Sequence, residues 1–100
     1  MIIAIFIIDK TFGKLDKDII RAYVFDRGDE ILCLGDELLF MKNMNYVSSW
    51  LANRKIKVIY CKEMEIERQR YFENLGIKIK PLTALREDPL LQSLLSLFKD

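Results

Sequence analysis

The chain has 100 residues, 51% hydrophobic and 31% charged, and sixteen Lys and Arg against fifteen Asp and Glu leave a net charge of +1. Apolar content this high offsets the entropy of ordering a chain, which excludes a disordered protein and suits one compact domain. The near-neutral balance supplies no global field toward nucleic acid or an anionic membrane. The absence of histidine excludes Ser-His-Asp and Cys-His catalysis, His-ligated zinc and the usual near-neutral general base.

Met1–Ile8 is apolar without a polar break, which predicts a strand buried on both faces and central in its sheet. The run is far shorter than the roughly 20 residues of a spanning helix. It also lacks the basic start and small-residue cleavage site of a secretory signal. Cys33 and Cys61 show no CxxC spacing, so a cytoplasmic protein with two reduced thiols is expected. Ile19–Asp26 reads as a second strand. Arg27-Gly28-Asp29 is a turn signal, and Glu30–Leu34 resumes as a third strand. Gly35-Asp36 reads either as a second turn or as a bulge, with Leu38–Met41 as further strand or the approach to a helix.

From Asn43 the period changes, and Met44, Val47, Trp50 and Leu51 predict a helix ending near Arg54, with Asn43 or Asn45 as its N-cap. Ile56–Cys61 alternates as a strand does. Glu65–Leu75 is the next helix, closed by Gly76. Ile77–Lys80 alternates apolar and basic ahead of Pro81, the pattern of an edge strand protected by lysines. Asp88-Pro89 opens a last helix over Leu90–Lys99. The order β-β-β-α-β-α-β-α implies antiparallel pairing first and right-handed parallel crossovers later. A mixed five-stranded sheet with helices on its faces is the expected α/β architecture.

Ligands of such sheets favour the crevice beyond the carboxyl ends of the parallel strands. Asp9–Phe12, Cys61–Glu65 and Lys80–Ala84 should gather there. Cys61, at a strand end ahead of a helix, admits two readings. One is a thiol of lowered pKa that attacks or binds soft metals; the other is a small packing group. Asp9, Asp26, Asp36 and Glu63 would serve as metal ligands for phosphodiester hydrolysis, but Asp26 and Asp36 fall beside turns, where Asp bonds the local backbone. The four glycines stand apart, so no phosphate loop is present. The closing Leu90, Leu91, Leu94, Leu95, Leu97 and Phe98 either complete the core or offer one flank to a homodimer.

Met1–Ile5, Arg21–Asp26, Val47–Cys61 (VSSWLANRKIKVIYC) and Phe72–Pro81 (FENLGIKIKP), in this element order, resemble the dinitrogenase iron-molybdenum cofactor biosynthesis family. The resemblance implies a ribonuclease-H-like three-layer sandwich. It also implies a non-catalytic protein that carries or senses an iron-molybdenum or iron-sulfur cluster, with a metallocluster-assembly or nitrogenase-like protein as partner. Cys61 would be the metal ligand, with Asp18, Arg21, Lys62 and Glu63 about the same pocket. The family's His-Phe-Gly-Arg-Ala stretch, aligned on Arg21-Ala22, has Asp18 in the histidine position and Ile19-Ile20 for Phe-Gly. Lys62-Glu63-Met64-Glu65 stands where members have a glycine-rich turn. The alternative is a divergent scaffold that has lost the ligand and serves protein-protein contact.

Overall fold

The computed structural model describes residues 1–9 and 18–98. Strand β1 (Ile2–Ile8) lies in the middle of a five-stranded sheet of order β3-β2-β1-β4-β5, flanked by β2 (Ile19–Arg27) and β4 (Ile56–Cys61). It pairs antiparallel with β2, which pairs antiparallel with β3 (Ile31–Phe40). On its other side β1 pairs parallel with β4, and β4 parallel with β5 (Lys78–Pro81). The mixed sheet and the central place of the first strand match expectation. Ile3, Ala4 and Ile5 are fully buried.

Side chains alternate along a strand, so β1 feeds two separate cores. Ala4 and Phe6 point to one layer, packed by Val47, Trp50 and Leu51 of α1 (Met44–Asn53) and Phe72 of α2 (Ile66–Asn74). Ile3 and Ile5 point to the other, covered by Leu82 and Leu85 of a 3₁₀ turn (Leu82–Glu87) and by Leu91 and Leu94 at α3 (Gln92–Phe98). Each large apolar side chain so buried contributes roughly 1.5–3 kcal/mol. The result is the expected ribonuclease-H-like arrangement, a three-layer α/β sandwich. Among the described residues no helix is long and apolar enough to cross a membrane.

Local chemistry sets the element ends. The Asn43 side chain accepts from the Tyr46 amide at 3.2 Å and starts α1. Gly76, at φ +85°, turns the chain out of α2, a conformation in which a Cβ is unfavourable. At Gly35 the bulge reading holds: β3 runs ten residues through it, with a register shift opposite Val24/Phe25 and a glycine φ of +126°. The last helix begins later than expected, at Gln92. Asp88 does cap the backbone, its Oδ1 accepting from the Leu90 amide at 2.9 Å, but that bond closes a local turn before the helix proper. The expected end at Lys99 lies outside the described residues.

Candidate functional site

The parallel pair β1 and β4 ends with Phe6 beside Cys61. Beyond them a crevice of about 450 Å³ opens over the carboxyl edge of the sheet. One wall belongs to the α1/α2 layer: Phe6, Ile8, Ile20, Met41, Cys61 and Met64. The opposite wall is Ile7, Leu82 and Phe98 from the α3 layer. The chain leaving β4 supplies the lip, Lys62, Glu63 and Glu65, and the first turn of α2 adds Arg68. The placement follows from topology, since only where parallel strands end do loops on both sides diverge and leave a gap.

Of the segments expected there, Cys61–Glu65 lines the crevice throughout and Lys80–Ala84 contributes Leu82. Within Asp9–Phe12 only Asp9 is described, and residues 10–12 lie outside the described set. Asp9 is buried, and its Oδ2 accepts from Arg21 Nε at 3.2 Å.

The five candidate site residues separate into two groups. Cys61, Lys62 and Glu63 line the crevice. Asp18 is tied to it through Arg68, whose Nη2 donates to Asp18 Oδ1 at 3.2 Å, and Lys42 Nζ stands 3.7 Å from the other Asp18 oxygen. Arg21 lies elsewhere. Its neighbours Ile20 and Ala22 face the α1/α2 core, so Arg21 projects from the opposite face of β2. There it also donates through Nη1 to Asp36 Oδ2 at 2.7 Å. The bond to Asp36, then those to Asp9, raise the guanidinium pKa further.

Cys61 is only 6% exposed, and desolvation pushes its thiol up to about 11. Of the two readings open for Cys61, the buried, protonated packing thiol agrees with this environment, because removal from water disfavours the charged form. The four acidic residues weighed for hydrolysis do not converge. Arg21 bridges Asp9 and Asp36, Asp26 sits 3.5 Å from the Met1 amino group at the far end of the sheet, and Glu63 is on the crevice lip. Among the described residues no group of three or more Cys, Asp or Glu is placed to hold a metal ion.

Sequence reasoning missed Arg68, Met41 and Phe98. Arg68 had a usable signal, since it lies one helical turn past the lip residue Glu65 and so faces back toward the strand end. Met41 follows β3 and Phe98 ends α3, and only the tertiary fold brings them together.

No family model matches the sequence, and no curated protein matches it significantly. The fold does have a counterpart. The crystal structure of PH0822 superposes with a TM-score of 0.52 over 81% of this chain and 76% of that one, at 17% identity. That likeness concerns the fold alone.

Proposed function

We propose that this protein is a non-catalytic binding module whose ligand occupies the crevice over the carboxyl ends of β1 and β4. The observation carrying this reading is an open crevice whose lining is more apolar than polar, with its few charged groups toward one side, a make-up that suits a small-molecule site. The groups best suited to acid, base or nucleophilic work are engaged or silenced: Asp9 is paired with Arg21, and Cys61 stays protonated at neutral pH. Two free thiols, Cys33 and Cys61, suit a reducing, cytoplasmic setting.

The metal cluster implied by the family resemblance fits this lining poorly. Clusters are held chiefly by several thiolates, and the described crevice offers one thiol, kept protonated by its burial, with two thioethers, Met41 and Met64. Asp18, in the position of the family's histidine, is held by Arg68 and Lys42. The ligand we favour is therefore an organic molecule. A fragment screen read by protein-observed NMR tests the reading against Ile8→Trp, a variant that fills the crevice from its wall. Fragments that bind the wild type and are lost in Ile8→Trp support it; fragments that bind both equally, or none at all, refute it.

A second reading, contact between two copies, draws on β3. This edge strand exposes Leu32 and Leu34 to 57% and 56%, without the lysines that guard β5. The last helix is a weaker candidate for that contact, because Leu91 and Leu94 are buried in the core and Leu97 alone among these is strongly exposed. Sedimentation across a concentration series, with Leu34→Lys as the control, distinguishes this reading.

A further inference from the structure

Resting on the crevice reading above, we propose that the ligand is a small amphipathic anion: an apolar body lying along Phe6, Ile8, Ile20 and Leu82, with a single carboxylate-like head at Arg68. The charged groups of the lining are not equivalent. Lys62, Glu63 and Glu65 are exposed on the lip, where water and salt screen them. Arg68 is the exception, with its side chain only 19% exposed, so it is the charge a molecule inside the crevice meets.

The Arg68 guanidinium also has capacity left. It carries five N–H donors in a planar fork, and its one described hydrogen bond runs from Nη2 to Asp18. Asp18 takes only one of those donors, and its other oxygen has Lys42 Nζ 3.7 Å away. Two further features favour an acceptor here. Glu65, at the N-cap of α2, makes no side-chain bond to the amides of the first turn, which leaves that end open to an acceptor. Beside it, the Cys61 thiol, buried in the same lining, has no hydrogen-bond partner among the described residues. An ammonium head would have to sit against Arg68 at the depth where repulsion is least screened.

A matched series decides the matter: 4-phenylbutanoate, 4-phenylbutan-1-ol and 4-phenylbutan-1-amine, titrated calorimetrically at pH 7 into wild type, Arg68→Gln and Ile8→Trp. The expected result is a carboxylate bound about tenfold or more tighter than the alcohol, as a charge-assisted bond to a half-buried arginine should give, with the amine weakest. Arg68→Gln should bring carboxylate and alcohol together, chiefly by weakening the carboxylate. An alcohol that binds wild type as well as the carboxylate, or an amine that binds best, overturns the anion proposal and leaves the crevice reading standing. Binding of all three that persists in Ile8→Trp, or no binding at all, overturns both. The wild-type ranking decides the proposal even if Arg68→Gln folds poorly.

Discussion

Arg27 and Asp88, 61 residues apart, meet side-on through two hydrogen bonds, Nε to Oδ2 at 2.9 Å and Nη2 to Oδ1 at 3.0 Å. The pair fastens the start of the C-terminal segment to the end of β2, and so holds the α3 layer against the sheet. The bonds from Arg27, and then the Leu90 amide, hold the Asp88 carboxyl below the usual carboxylate range, with desolvation opposing them. A carboxyl whose folded pKa is depressed contributes stability above its unfolded value of about 3.9 and loses it as the pH falls through the folded value. Asp88→Asn should therefore lower the urea midpoint above about pH 5, and the two proteins should converge in more acidic solution. A gap that stays constant to the lowest pH would show that the loss is not electrostatic.

The bulge at Gly35 is a second point of sensitivity. A Cβ there would touch nothing within 4 Å, yet the backbone sits at φ +126°. Gly35→Ala should cost roughly 1–3 kcal/mol through backbone strain alone, read as a lower denaturation midpoint with an unchanged slope. Gly28→Ala, at a position equally open but without the positive φ, is the matched control and should cost clearly less.

How far the fold was legible depends on whether a residue's neighbours in sequence decide its fate. Strand β4 was readable to both ends because Ile56 to Cys61 is bounded by Lys55 and by Lys62-Glu63. Helix α1 was readable from its apolar period, which left its cap open between Asn43 and Asn45. Gly35 left two outcomes open, since a glycine serves a turn and a bulge equally, and only pairing with β2 chooses between them. The 3₁₀ turn at Leu82–Glu87 carried no period long enough to see. At the site, topology placed the crevice correctly. The protonation of Cys61 was illegible, because it is set by its burial in the folded core.

The two thiols should differ sharply. Cys33 is exposed on β3 and Cys61 is buried. With an aromatic disulfide reagent near pH 8, one thiol should react rapidly in the native protein and the second only slowly. The slow rate should climb about tenfold per pH unit as the thiolate fraction grows, levelling near the Cys61 value of about 11. Two equally fast thiols would contradict the burial described for Cys61.

Anaerobic incubation with iron, sulfide and molybdate addresses the cluster directly. After desalting, the protein should be colourless and no richer in iron than Cys61→Ser treated in parallel. Stoichiometric iron with visible absorbance, lost in Cys61→Ser, would restore the cluster reading and make Asp18 the next variant.

The most direct measurement is amide-shift mapping during titration with 4-phenylbutanoate. The expected shifts cluster at Ile7, Ile8, Ile20, Met64 and Arg68, around the crevice where β1 and β4 end. Shifts centred on Leu32 and Leu34 of β3, or a spectrum unchanged at millimolar ligand, would contradict the crevice as the protein's binding site.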